Sequence, residues 1–395
     1  MTTRESNKNV FFELIQTEEG LAKLIGLIKC VHTVALDTEA DSFHHYRPKV
    51  CLIQLSFNGY TAIVDPLAGV SLKPFLEELA VKELVIHDAG YDLRMLKGDF
   101  NFVPQNGIFD TMLAAALTGM ANVGLSSVLQ EVLQIQIAKH NQKADWSRRP
   151  LPDYLLRYAA EDTCYLMQIR DNLESRLNEL GRLDWHRESC RQAVGSAIAA
   201  KETPDIDNLW RIKGSGILTD RQMAFLREIW HWRHSIAKRT NVAPFMICRN
   251  EDVVKLAIWA SHHRKPVEPD AQLPIRCKAS YRNALLTALQ KAHCLPKDQW
   301  PSLPPSDPSK RLPDSVRKIV NILKTECETI AKKNGLPLQW IASRAALTEI
   351  VLKQATSLEQ IQKEQILLNW QAKLILPAIS KVLAEGGQTD HRLSE

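Results

Sequence analysis

Hydrophobic and polar positions follow two different rhythms along the chain. In the first 200 residues, short apolar runs of strand length alternate with stretches of helical period. The runs at residues 33–37, 50–57 and 60–64 are apolar and rich in β-branched side chains, and they read as strands. Asn58-Gly59 sits between the last two, where its tolerance of positive φ suits a tight hairpin, and Asp65-Pro66 closes the unit. Residues 11–29 place Phe12, Leu14, Ile15, Leu21, Leu24, Ile25 and Ile28 at helical spacing and predict one helix. Beyond the hairpin the pattern predicts a helix at 72–79, a strand at 83–87 and a helix at 91–96. A fifth strand falls within 102–109, and a helix capped by Asp110-Thr111 runs through Met120. Further helices are predicted at 125–133 and, as one long element, at 151–180. Three antiparallel strands followed by strands alternating with helices define a mixed five-stranded α/β sheet, unlike a purely parallel doubly wound one.

From Ile206 onward only the helical period is left, with candidates at 209–211, 220–239, 251–260 and 278–292. Residues 295–313 carry six prolines, namely Pro296, Pro301, Pro304, Pro305, Pro308 and Pro313, and read as a stiff linker. A second helical block follows at 315–333, 344–353 and 358–383, and residues 386–395 read as a loose tail. The expected organisation is therefore an α/β domain over 1–200, a helical domain over 205–294, the linker over 295–313 and a second helical domain over 314–385.

Composition narrows the class. Of 395 residues, 45% are hydrophobic and 24% charged, as in a soluble globular protein. No apolar run reaches the ~18 residues of a membrane helix, and the polar N-terminus has no signal-peptide pattern. Eight scattered cysteines with no CxxC pair argue against a zinc site and for reduced thiols in a cytoplasmic protein. No GxGxxG or Walker loop is present, which weighs against a nucleotide-cofactor fold. The formal net charge of +5 conceals an asymmetry: residues 1–200 hold 20 Lys+Arg against 25 Asp+Glu, and residues 201–395 hold 30 against 20. An acidic half joined to a basic half suggests acid-based chemistry in one part and polyanion binding in the other.

The acids fall into a pattern. Asp37 and Glu39 end an apolar strand and are two residues apart, so they share a face. Two carboxylates that close repel each other and favour a bound cation, and oxygen donors of this kind suit Mg²⁺ or Mn²⁺. Asp92 opens a helix after the strand at 83–87. Tyr158 and Asp162 lie four apart on one helix face, with Leu155, Leu166 and Ile169 on or near that side. That face points inward, where a carboxylate needs a cation or hydrogen bonds. Glu161 is a ~100° turn away and is expected in solvent. Asp65 and Asp110 sit where caps belong, His87 ends a strand, and Tyr46, Arg47, Lys49, Arg148 and Arg149 are candidates for contact with a substrate backbone.

Asp37-x-Glu39, then Asp92 in His87-Asp88-Ala89-Gly90-Tyr91-Asp92-Leu93, then Tyr158-x-x-x-Asp162 resembles the DEDD superfamily of 3′→5′ exonucleases. The last spacing matches its tyrosine subclass; the histidine subclass would have His where this chain has Arg157. Val50-Cys51-Leu52-Ile53-Gln54-Leu55, Phe109-Asp110-Thr111 and Asp145-Trp146-Ser147-Arg148-Arg149-Pro150-Leu151 resemble the ribonuclease D family, over roughly residues 12–185. Leu209-Trp210-Arg211-Ile212-Lys213-Gly214, with Trp232-Arg233, Ala237 and Pro244, resembles the HRDC module of RecQ-type helicases and ribonuclease D, and residues 315–383 look like its divergent second copy. One departure is Ala40, where related ribonucleases often carry an aromatic residue or leucine.

The resemblance implies a ribonuclease-H-like catalytic domain followed by two HRDC-type domains. It implies hydrolysis of RNA from the 3′ end to nucleoside 5′-monophosphates by two divalent metal ions, Mg²⁺ or Mn²⁺. Asp37 would bridge both ions, Glu39 and Asp162 would complete the site of the attacking water, Asp92 would support the second ion, and Tyr158 would orient the water. The implied partners are tRNA precursors or other structured RNA with a 3′ tail, in the bacterial cytoplasm and with no membrane. Two other readings stay open at this level: a 3′→5′ DNA exonuclease, since discrimination rests on reading the 2′-OH, and a non-catalytic RNA-binding adaptor.

Overall fold

The computed structural model describes residues 4–5, 10–137, 141, 143–200, 206–275, 277–301 and 312–391. Its centre is a six-stranded mixed sheet built from β1 (Glu13–Ile15), β2 (Thr33–Ala40), β3 (Val50–Phe57), β4 (Tyr60–Val64), β5 (Glu83–Ile86) and β6 (Ile108–Asp110). The strand order is β1-β4-β3-β2-β5-β6. β2, β3 and β4 form the expected antiparallel meander, and β5 and β6 add to it in parallel. Asn58 and Gly59 turn the hairpin with φ of 48° and 77°, the left-handed pair that two-residue hairpins favour.

Six strands rather than five is a correction. The single helix expected over residues 11–29 is instead β1 followed by α1 (Glu18–Lys29), with Thr17 capping the helix through Gly20 N–H. β1 pairs in parallel with β4 as an edge strand, and Tyr60 donates to Glu13 beside it (2.6 Å). Three residues are too few to display a period of two, so Leu14 and Ile15 merge into the helical pattern that follows.

The sheet is covered on both faces. α1, α2 (Lys73–Ala80), α3 (Ala89–Phe100) and α8 (Leu183–Ala199) bury one face around Leu24, Ile28, Phe75, Leu93 and Cys190. α4 (Thr111–Leu117), α5 (Leu125–Leu133), α6 (Asp153–Cys164) and α7 (Leu166–Glu179) bury the other. The long helix expected at 151–180 breaks at Tyr165, which lets α6 lie on β3 and β4 while α7 packs on α4 and α5. No glycine or proline marks this break; packing imposes it.

Two all-helical blocks follow, each with its own core. Residues 210–292 fold around Trp210, Phe225, Trp232 and Leu285 on α9 (Asp220–Thr240), α10 (Asn250–Ser261) and α11 (Ala279–Cys294). Residues 320–383 fold around Leu323, Ile341, Ile350 and Ile379 on α12 (Asp314–Lys333), α13 (Arg344–Lys353) and α14 (Asn369–His391). The single helix expected at 358–383 is split into a short helix, Leu358–Lys363, and α14, which runs through His391, so residues 386–391 are helical where a loose tail is expected. Within the proline-rich segment, Lys297–Gln299 form a 3₁₀ turn and residues 302–311 lie outside the described residues. Among the described residues no helix is long and apolar enough to cross a membrane.

Both blocks dock on the α/β domain. The first meets the loop after β2: Ala243 N–H donates to the His44 carbonyl (3.1 Å), Arg47 N–H to Asn241 Oδ1 (3.1 Å), and the Tyr46 hydroxyl lies 2.9 Å from His234 Nε2. The second meets α8: Trp370 stacks on Trp185 at 4.7 Å, and the Glu188 carboxylate accepts from Asn369 N–H (2.6 Å) at the start of α14.

An ion pair between buried Asp65 and half-buried Arg149 closes the far edge. Asp65 accepts from Arg149 Nη2 (2.6 Å), Arg149 Nε (2.7 Å) and Gln16 (2.9 Å), and caps the next turn through Leu67 N–H (3.0 Å). Burial pushes the Asp65 carboxyl up, but the Arg149 and Gln16 hydrogen bonds outweigh it and hold it below the usual carboxylate range. Removing one partner of such a pair strands a buried charge at about 3 kcal/mol. Arg149→Met is expected to lose roughly that much stability in urea unfolding at pH 7; a loss under about 0.5 kcal/mol would show that the pair is effectively solvated.

Candidate active site

β2 presents Asp37 and Glu39 on one face because they are two residues apart, while the intervening Thr38 points to the other. A register shift between Glu39 and Ala40 marks a bulge just before the last pair of the ladder, Ala40 with Val50. α6 crosses the same face and brings Tyr158 and Asp162 over the strand ends. Its seat is fixed from below by hydroxyls: Ser56 Oγ lies 2.8 Å from Thr163 Oγ1 and 2.9 Å from Thr61 Oγ1. As a result, ligand oxygens of Asp37, Glu39 and Asp162 lie within 4.8 Å of one another.

Asp92 reaches the same cleft by another route. Asp110 caps two helices at once. It accepts from Met112 N–H (2.8 Å) and Leu113 N–H (3.1 Å) of α4, and from Ala89 N–H (2.9 Å) and Asp88 N–H (3.2 Å) at the start of α3. Asp88 takes the left-handed conformation (φ 61°) in that turn, and Asp92 follows in the first turn of α3. Its Oδ1 accepts from Thr38 N–H (3.1 Å) and the Thr38 hydroxyl (2.5 Å). Thr38, between the two strand acids, thus ties the third acid to their strand.

The cleft encloses about 630 Å³ and is lined by all four acids and Tyr158, with Phe43, Tyr91 and Lys143 at its walls. Its electrostatics are those of crowded anions. Burial, then Asp92, Asp162 and Glu39, push the Asp37 carboxyl well above the usual range. Burial, then Asp162 and Asp92, do the same to Glu39. Burial lifts Asp92 to about 7 against the opposing Thr38 hydrogen bonds, and burial with Glu161 and Asp92 lifts Asp162 to about 7. Burial and the nearby Asp162 raise the Tyr158 phenol, so it keeps its proton at neutral pH. Among the described residues, none of the four carboxylates is ion-paired with Lys or Arg. A hard divalent cation is the natural complement to such a set of oxygens.

The remaining expected residues divide. Asp65 and Asp110 are the caps expected of them. His87 sits 2.9 Å from Thr111 Oγ1, and burial lowers it to about 4, so it stays neutral. Arg149 is engaged by Asp65 and the Cys51 carbonyl, and Tyr46 by His234, which removes both from the candidate substrate contacts. Glu161 is half-buried, not free in solvent. Phe43, Tyr91 and Lys143 escape a reading of the sequence because they come from separate loops and a helix start, and only the tertiary fold gathers them; Lys143 Nζ stands 5.9 Å from the Phe43 ring centre.

Residues 12–178 match the family model described as 3′-5′ exonuclease, so the α/β domain is of that class. Over longer spans the chain is 28% identical to ribonuclease D of Acidiphilium cryptum, covering 91% of this chain and 90% of that protein. In architecture it is similar to a protein from Bifidobacterium adolescentis (TM-score 0.79, 21% identity, 94% of this chain and 97% of that one). It is also similar to Escherichia coli RNase D (TM-score 0.65, 24% identity, 95% and 99%). Across most of its length the chain is similar to ribonucleases D, at 25–29% identity.

The raised carboxyls fix a sign for pH dependence. In the unfolded chain Asp92 and Asp162 lose their protons near 4, whereas in the fold they hold them to about 7. Between those values the folded state binds more protons, so the site's contribution to stability falls as pH rises. Asp162→Asn removes one of the repelling charges. In EDTA it is expected to melt higher than wild type at pH 8, by roughly 2–4 °C per kcal/mol relieved, with the difference vanishing near pH 4. A lower melting temperature at pH 8 would contradict the repulsion.

Proposed function

We propose that this protein is a divalent-metal-dependent 3′→5′ exoribonuclease that trims structured RNA, such as tRNA precursors with a 3′ tail, to nucleoside 5′-monophosphates. The observation that carries the proposal is the convergence of Asp37, Glu39 and Asp162 within 4.8 Å of one another, in one cleft with Asp92 and Tyr158. The relatives are ribonucleases D by name, and the Escherichia coli structure is described as an exoribonuclease involved in structured RNA processing.

In this reading Asp37, Glu39 and Asp162, with Asp92 in support, would hold two divalent cations, Mg²⁺ or Mn²⁺. Bound there, the cations supply Lewis acidity, polarising the scissile phosphate and stabilising charge on the leaving 3′ oxygen. The chain's own residues do the rest. Tyr158, its phenol kept protonated by burial and by Asp162, orients the attacking water as a hydrogen-bonding partner rather than as a base. Water adds to phosphorus at the last linkage, the bond from phosphorus to the preceding 3′ oxygen breaks, and the phosphate leaves on the 5′ carbon of the released nucleotide. Packing against Trp146, whose ring centre lies 6.1 Å from that of Tyr158, holds the phenol in place.

Residues 205–294 and 314–385 act as HRDC-type modules joined by the 295–313 linker, and their excess of Lys and Arg holds the RNA body through its phosphates while the 3′ end enters the cleft. The free cysteines fit a reducing cytoplasm.

The test uses a 5′-labelled RNA with a single-stranded 3′ tail and its DNA twin, each with Mg²⁺ or Mn²⁺. A ladder shortening from the 3′ end is expected on RNA, slowed at least about a hundredfold by Asp162→Asn and about a hundredfold by Tyr158→Phe, which keeps the ring but loses the orienting hydroxyl. Equal ladders on both polymers would make the protein a general exonuclease. Salt-sensitive binding with no ladder in either metal would make it an adaptor.

A further inference from the structure

Gln54 lies in the middle of β3, directly opposite Asp37 on β2. Directly opposed residues of an antiparallel pair project to the same face, with Cβ atoms about 4.5–5.5 Å apart. Ser56, two residues on and therefore on that face too, bonds Thr163 of α6. The carboxamide of Gln54 thus points to the side of the sheet over which α6 lays Tyr158 and Asp162. It is 0% exposed. Among the described residues neither its Oε1 nor its Nε2 has a hydrogen-bond partner.

Such a residue is expensive as filler. A buried polar group left unpartnered costs on the order of 1–3 kcal/mol, and leucine or methionine would occupy the same space without that penalty. Asp92 already has a dedicated donor in Thr38, which contributes both N–H and hydroxyl. Asp37, repelled by the other three acids, has the Gln54 amide as its cross-strand neighbour.

We propose that Gln54 is a positioning residue for the cation site: once cations are bound, its Nε2–H donates to the Asp37 carboxylate and fixes the rotamer in which Asp37 meets them together with Glu39 and Asp162. This role depends on the four acids holding cations, as proposed for the active site. Groups that orient metal ligands from behind typically contribute about 10–100-fold in metal affinity.

Mn²⁺ binding by isothermal calorimetry is compared for wild type, Gln54→Leu and Gln54→Met, beside thermal melts of each in EDTA. The two apolar variants keep the volume and remove both unpartnered groups, so their melting temperatures in EDTA should equal or exceed wild type. Their Mn²⁺ affinity should fall tenfold or more. Wild-type affinity in both variants would overturn the proposal, as would weakened binding accompanied by a matching drop in melting temperature in both, which is the signature of a merely structural role. Failure of the wild-type protein itself to bind Mn²⁺ would overturn the cation reading and this proposal with it.

Discussion

Four carboxylates crowded into one cleft, Asp92 buried and the others half-buried, with no partner cation among the described residues, form the constraint on which the rest of this structure turns. Burial disfavours their charged forms first, and neighbouring carboxylates add to it, Asp88 at Asp92 and Glu161 with Asp92 at Asp162, which is why both hold protons to about 7. A fold keeps such a group together only if its scaffold is rigid and its complement comes from outside. Divalent cations, and the phosphate they attract, are the complement we propose.

The scaffold shows how this rigidity is built. The β2–β3 register sets Asp37 and Glu39 on one face, and any one-residue slip would turn both into the opposite layer. Asp110 ties the starts of α3 and α4 together with four N–H bonds and thereby places Asp92. The Ser56–Thr163 hydroxyl contact seats α6 and with it Tyr158 and Asp162. Each of the acids and the tyrosine projects from a strand or a helix, where main-chain geometry leaves little freedom. The first helical block reaches the loop that leaves the site, through His44, Tyr46 and Arg47, so that block is held at a fixed distance from the acids.

Much of this architecture is legible in the residues because it is local. A period of two places Asp37 with Glu39, and a spacing of four places Tyr158 with Asp162. The meander and its Asn58-Gly59 turn follow from the same local rules. What is not legible depends on distant partners. β1 exists because β4 offers it an edge, and Tyr165 breaks a helix because α6 and α7 pack on different neighbours. Arg149 beside Arg148 looks like a cation for phosphate until Asp65, 84 residues earlier in the chain, is found bonded to it. Tyr46 likewise finds His234 across a domain boundary. Phe43, Tyr91 and Lys143 share a cleft only after folding, and no spacing in the chain announces it.

Whether the crowded acids exist to hold cations is tested most directly by anomalous scattering from a crystal grown with Mn²⁺. Manganese peaks are expected within ligand distance of Asp37, Glu39 and Asp162, and they should be lost in the Asp162→Asn protein. Manganese peaks only elsewhere on the molecule, with the four carboxylates bonded to each other or to ordered water, would contradict a cation-holding role.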